Sequence, residues 1–182
     1  MRSFSTIARV PLGTPLPAET VVESHAARIL ILVSEAGIRR RISGLTKLAK
    51  LDFFLRYPEF LGRIVEANRS VSAWAAEPTM IRFLYGPWDP RYYQVLPFLE
   101  SRGLLAIGKN GRSYTFSLTD LGRAVVEKLG EDAAFVGTFE GARAVGKELG
   151  HMSGGQLKNL VYERFADEVA QLPLGQGIHH ER

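Results

Sequence analysis

Few side chains in this 182-residue sequence have the type and spacing that chemistry requires. His25 lies one turn before Ile29 in an apolar helical stretch, with no second histidine nearby to complete a metal site or a proton relay. It reads as a helix-face histidine. Asp52 stands in an apolar and basic neighbourhood, and Arg56 four residues on marks it as half of a helical ion pair rather than a catalytic acid. Gly154-Gly155 invites a phosphate-loop reading, but no strand precedes it and no Gly-Lys-Ser/Thr follows. His179-His180 is too isolated for a metal site. The sequence holds no Walker motif, nucleophile elbow, paired histidines at metal spacing or carboxylate cluster. It predicts no catalytic residue, no metal and no cofactor. The class it points to is a non-enzymatic binding or assembly protein.

The remaining candidates are cations and aromatics. Up to residue 112 the chain carries 16 Lys and Arg against 9 Asp and Glu; beyond it, 7 against 10. A basic front suits a nucleic-acid face or a charged surface for an acidic partner. Arg39, Arg40 and Arg41 follow a helix end, where cations meet the negative end of the macrodipole; equally, they can contact phosphate. Lys47, Lys50, Arg91, Lys109 and Arg112 complete the basic set. Tyr85, Trp88, Tyr92 and Tyr93, interleaved with Arg82 and Arg91, form an aromatic cluster that serves as core, as a partner-docking face, or as a platform for bases.

The elements that position these residues centre on Phe83 to Lys128, read as strand, helix, hairpin, helix. Asp89-Pro90 is a helix start, because the carboxylate accepts from first-turn amides and proline at the first position loses no hydrogen bond. The helix then carries Tyr92, Leu96 and Leu99 at helical spacing and stops near Gly103. Pro97 predicts a kink or break. LLAIG and SYTFSL flank KNGR, where Asn110-Gly111 signals a tight hairpin. Thr119 caps the next helix, with Leu121, Ala124, Val125 and Leu129 inward.

Upstream, Val22, Ala26, Ile29, Leu30 and Val33 make a first core helix with Gly37 at its stop. Ser43 is read as the cap of a second, with Leu45, Leu48, Leu51, Phe54 and Leu55 toward the core and Lys47 and Lys50 on the other side. Tyr57-Pro58 ends it, and Glu59 to Ala67 adds a further helical piece. Residues 68 to 79, with Trp74, form a polar connection before the strand MIRFLYG. Downstream, Ala133 to Leu149 is helical but weakened by Gly137, Gly141 and Gly146. Ser153 and Gln156 fit a capping box before a last amphipathic helix. The fold class expected is mostly α (α+β): a winged helix-turn-helix core with a small β-hairpin wing and additional N- and C-terminal helices. Its parts are an irregular arm over 1–18, the winged-helix domain over 19–130, a helical extension over 131–172 and a flexible tail over 173–182.

The sequence has no cysteine, and its first 25 residues hold three prolines and no long apolar run. Disulfides and thiolate metal sites are therefore excluded, and the expectation is a cytoplasmic protein without membrane contact. LTKLAKLDFFLRYP (45–58), YGPWDPRYY (85–93), SRGLL (101–105), SLTDLG (117–122) and MSGGQLKNLVYERF (152–165) together resemble the small middle component of bacterial three-component ABC ATPase systems, the group that includes Lamassu-type anti-phage defence. The resemblance implies a winged-helix accessory subunit that docks on an SMC-like or Rad50-like ATPase coupled to an effector, with DNA as a further contact. The alternative is a free-standing winged-helix transcriptional regulator. In that reading the helix from Pro90 enters the major groove while Lys109 and Arg112 touch phosphate.

Overall fold

The computed structural model describes residues 21–65, 79–84, 86–111 and 113–178. The arm over 1–18, Trp74, Tyr85, Arg112 and His179-His180 lie outside these. The fold is mostly helical with small antiparallel sheets.

The first helix, α1 (Val22–Ala36), is buried on nearly every side rather than along one stripe. Ile29, Ile31, Leu32 and Val33 have no exposed surface, so the other elements pack around it. A short strand β1 (Arg41–Ser43) leads into α2 (Leu45–Arg56). Ser43 belongs to that strand, and Gly44 at φ +97 takes the cap position without a side-chain bond, which corrects the expected Ser43 cap. Tyr57-Pro58 ends α2, and α3 (Pro58–Ile64) starts on the proline, where the absent amide costs no helical bond. Phe53, Phe54, Phe60 and Phe165 meet in edge-on and tilted pairs at the lower end of the core.

A two-stranded ribbon, β2 (Ile81–Phe83) with β3 (Gly86–Trp88), follows. The next helix, α4 (Tyr92–Ser101), begins two residues after Pro90, because Asp89 is turned into the core and only its Oδ1 remains for the Arg91 amide, at 2.9 Å. Pro97 does not break α4: it lies on the exposed face, where water can solvate the carbonyl it leaves without a donor. The predicted stop is present. Gly103 at φ +67 donates to the Glu100 carbonyl and Leu104 to the Leu99 carbonyl, the paired bonds that close a helix end.

The hairpin β4 (Leu105–Asn110) and β5 (Ser113–Leu118) forms with Asn110 opposite Ser113, so its turn comes one residue later than expected; Gly111 is at φ +59. β5 lies between β1 and β4, with Ile42 opposite Phe116, both buried. Thr119 caps α5 (Asp120–Gly130) by accepting from Gly122 at 2.9 Å. Gly122 and Val126 are the buried residues of α5 and Val125 and Leu129 pack partly buried against the core as expected, whereas Leu121 is 55% exposed and Ala124 is also exposed. The buried face is thus centred nearer Val126 than expected, and the start of α5 is tied to the end of α4, where Thr119 also donates to the Gly103 carbonyl at 2.6 Å.

A single 3-10 turn (Ala133–Phe135) leads into α6 (Val136–Leu149), then α7 (Gly154–Arg164) and a π turn (Ala166–Ala170). The Ser153–Gln156 capping box opens α7 as expected. Phe139, Val145, Leu149, Leu157, Val161 and Phe165 join the same hydrophobic cluster as α1 and α2, so the stretch over 131–172 shares that core rather than extending from it. Of the tail expected to be flexible over 173–182, the described part is docked through Ile178: Arg82 and Ile178 amides bond to the Gln176 and Met80 carbonyls, and Tyr57 donates to the Ile178 carbonyl. Ile178 is fully buried, and this apolar anchor near the chain end is what the sequence pattern did not reveal.

Gly146 explains why α6 tolerates its glycines. A Cβ there would stand 2.6 Å from the Glu35 carbonyl oxygen and 2.8 Å from Ala36 Cα, so the α1 and α6 backbones approach closer than any side chain allows. Gly146→Ala is therefore expected to destabilise the protein by about 1–3 kcal/mol despite better helix propensity. Urea denaturation against wild type measures this.

Candidate functional site

A chain of buried charges sits where α1, α2 and α4 meet. Asp52 on α2 has no exposed surface. It accepts from Arg28 Nε of α1 at 2.7 Å and from the Tyr92 hydroxyl of α4 at 2.6 Å, and Arg56 lies 3.8 Å away on its own helix. Arg56 also donates to Asp89 at 2.8 Å, and Asp89 takes a fork of bonds from Arg91. His25 stands between Arg28 and Arg91, 3.1 Å from the former. The expected Asp52–Arg56 pair is thus one link in a network across three elements.

The network fixes charge states. Burial would raise the Asp89 carboxyl, but hydrogen bonds from Arg91 and the charges of Arg56 and Arg91 hold it down at about 2. The Tyr92 hydroxyl is pushed well above its ordinary value by burial and by the neighbouring Asp52 carboxylate. Tyr92, 2% exposed, is therefore a core residue, which corrects its expected role in partner docking. Arg91 is half-buried and spent on Asp89 and His25, so it is not aimed outward as a base or phosphate reader.

Lys47 and Lys50 are also corrected. Both are buried, not displayed on an outer helix face. Lys47 reaches 2.6 Å to the Gly150 carbonyl at the end of α6, where a cation meets unsatisfied carbonyls, and burial lowers its pKa. Lys50 donates to the Pro87 carbonyl at 3.2 Å, and burial drives its pKa down to about 7. Placement decided this: α2 is enclosed by α6, α7 and the ribbon, so positions that look like a polar stripe face inward.

What does remain on the surface divides into two areas. The first is apolar. Phe83 and Leu84 at the ribbon turn and Tyr93 on α4 are 41%, 56% and 69% exposed. Trp88 is half-buried between them, its ring 6.1 Å from Phe83 and 5.8 Å from Tyr93. They surround a cleft of about 200 Å³ that Leu45, Ala49, Lys50 and Pro87 also line. Of the expected docking residues, Tyr93 is thus at the surface and Trp88 half-buried beside it. Phe83 and Leu84 were missed as surface residues, and the signal was there: a three-residue strand that must turn at once leaves its tip outside.

The second area is basic. Arg39 and Arg41 line a cleft of about 670 Å³ with Ile38, Lys47, His151 and the start of α7, and among the described residues no acidic side chain lines it. A neighbouring hollow of about 340 Å³ joins Ser43, Gly44 and Ser113 to Gly155 and Lys158. Arg39 and Arg40 hold φ +53 and +56, a left-handed conformation that costs non-glycine residues about 1–2 kcal/mol each. The strain places Arg41 at the start of β1, paired with Ser117. Lys109 is exposed on β4 opposite Tyr114. Of the expected basic set, Arg39, Arg40, Arg41 and Lys109 are therefore accessible; Arg112, like Tyr85, lies outside the described residues.

Among the described residues there is no group of three or more histidines and carboxylates that could hold a metal, and no helix is long and apolar enough to cross a membrane. No family model, curated protein or solved structure matches this chain.

Removing the central counter-charge should be severe. Asp52→Asn leaves Arg28 and Arg56 facing a neutral amide, and an unfolding loss of about 3–5 kcal/mol is expected in a denaturant titration. Lys50 behaves oppositely. Between pH 7 and its ordinary 10.5 the unfolded chain binds a proton that the folded chain releases, so Lys50 makes stability rise with pH by up to about 1.4 kcal/mol per unit across that window. Lys50→Met should be more stable than wild type at pH 7 and should lose this part of the slope, measured as the wild-type minus variant difference.

Proposed function

We infer that this chain is a non-catalytic accessory subunit with a winged helix-turn-helix core, which docks in the cytoplasm on an SMC-like or Rad50-like ABC ATPase of a bacterial anti-phage system that also contains an effector. The observation that carries this reading is the exposed cluster of Phe83, Leu84 and Tyr93 around Trp88. A contiguous aromatic and aliphatic patch on a water-facing surface is maintained where a partner covers it. The order of elements supports the winged-helix core: α1, β1, α2, then α4 and a hairpin whose second strand pairs with β1. In a winged helix, α4 would be the reading helix. Its outward residues here are Tyr93, Gln94, Pro97 and Glu100, which suit a protein surface better than a phosphate backbone. The motif resemblance names the partner class.

Phe83→Asp combined with Tyr93→Asp alters only exposed positions. Co-expressed with an SMC-like ABC ATPase from its own genome, the wild-type chain is expected to co-purify, and the double variant to lose at least tenfold in recovered complex with its thermal midpoint nearly unchanged. A wild-type chain that never associates with that ATPase, with or without nucleotide, overturns the reading.

A second reading, the free-standing DNA-binding regulator, is favoured by one observation, the cleft lined by Arg39 and Arg41 without an acidic side chain. It expects the isolated protein to bind duplex DNA, with Arg39→Ala plus Arg41→Ala lowering the salt slope of log affinity by about 2. Unchanged affinity and slope in a salt titration would remove it.

A further inference from the structure

The two basic hollows form one groove. They share Ser43, Lys47 and Gly154, and together they run from Arg39 and Arg41, past the starts of α2 and α7, to Ser113 on the hairpin and Lys158. Among the described residues no acidic side chain lines either hollow. Arg39 and Arg41 are exposed, and among the described residues neither guanidinium has an ion-pair or hydrogen-bond partner. An entering anion therefore meets two forked donors that no carboxylate already holds.

The backbone adds donors to the same place. α2 has no side-chain cap, so among the described residues the amides of Leu45, Thr46 and Lys47 have no acceptor. In α7 the capping box occupies the Ser153 and Gln156 amides and leaves those of Gly154 and Gly155. The two helix starts abut, since a Cβ on Gly154 would stand 3.1 Å from the Lys47 amide nitrogen. The positive ends of two macrodipoles thus lie in one groove, beside the arginines. The Lys47 ammonium is not counted here, because it is turned to the Gly150 carbonyl.

The rest of the lining selects the occupant. Among the described residues no aromatic side chain lines the groove, and its apolar side chains are Ile38 and Met152. A protein partner anchors through aromatic and aliphatic side chains, and unpaired bases need rings to stack on. A lining of cations, hydroxyls and amides supplies neither. It suits a duplex, whose bases stay paired and whose outer edge is phosphate.

We propose that this groove holds the sugar–phosphate backbone of a double-stranded nucleic acid without reading its sequence, with phosphates on Arg39 and Arg41 and at the joined starts of α2 and α7. The inference goes beyond the second reading above, which needs a helix in the major groove; this contact uses neither α4 nor base edges. Phe83, Leu84, Trp88 and Tyr93 take no part in it and stay available to a protein partner.

The test is fluorescence anisotropy of the full chain with two labelled DNA duplexes of equal length and unrelated sequence, one of their separated strands, and the RNA duplex of one sequence. Poly-L-glutamate serves as the acidic-chain competitor. Gly155→Glu sets a carboxylate in the groove and is built to fold: a Cβ there meets only the Ser153 hydroxyl, at 3.9 Å, and an acid in the first helical turn is favourable. The two DNA duplexes should bind within about twofold of each other and more tightly than the single strand. Gly155→Glu should weaken both by about fivefold or more, with its thermal midpoint no lower than that of wild type. The tighter of the DNA and RNA duplexes then names the source of the backbone. Absence of duplex binding, tighter binding of the single strand, or Gly155→Glu binding as wild type overturns the proposal. Displacement by poly-L-glutamate as effective as by unlabelled duplex at equal charge also overturns it, since the groove then belongs to an acidic protein. A preference of about tenfold or more for one DNA duplex overturns it in favour of the regulator. If Arg39→Ala plus Arg41→Ala lowers the salt slope while Gly155→Glu changes nothing, this inference fails and the second reading stands.

Discussion

Everything else in the fold depends on enclosing Asp52. A carboxylate without exposed surface is tolerable only when its charge is met, and here the partners arrive from different elements: Arg28 from α1, Tyr92 from α4 and Arg56 from its own helix. The requirement fixes the rotation of each helix about its axis, because a slip of one residue would turn Arg28 or Tyr92 away. Hydrophobic burial supplies the driving force, but burial alone is indifferent to register among leucines and isoleucines that are equivalent in kind. The ionic chain through Arg56, Asp89 and Arg91 extends the same constraint to the turn before α4. That in turn sets where Tyr93 and Trp88 emerge.

The second organising fact is close backbone packing around α1. Gly146 lets α6 lie directly against the end of α1, and Lys47 ties the far end of α6 to α2. These contacts bring residues beyond 131 into the central core. They also leave two distinct areas at the surface, the apolar residues around the ribbon tip and the arginines before β1.

Much of the local structure was legible before folding. The Gly103 stop, the Thr119 cap, the Ser153–Gln156 capping box, the Tyr57-Pro58 break and the hairpin around Gly111 all follow from bonds within a few residues, and such bonds are written in adjacent letters. Lys47, Lys50 and Tyr92 could not be read this way. A lysine at a polar-looking helical position belongs outside unless other helices happen to cover that side, and those helices come from residues 136 to 164. The docked end at Ile178 was hidden for the same reason, since its partners Met80 and Tyr57 are about a hundred residues away.

The sequence by itself determined many of the local stops, caps and turns, and that the chain has no cysteine from which to form a disulfide. Only the tertiary structure decided which charges are spent. Arg91, Lys47 and Lys50 look alike on paper to Arg39 and Arg41, yet the two lysines are buried, Arg91 is spent on Asp89 and the last two face water. The physical reason is that capping and turn formation are local equilibria, whereas burial of a charge depends on which distant surface closes over it and whether that surface brings an acceptor.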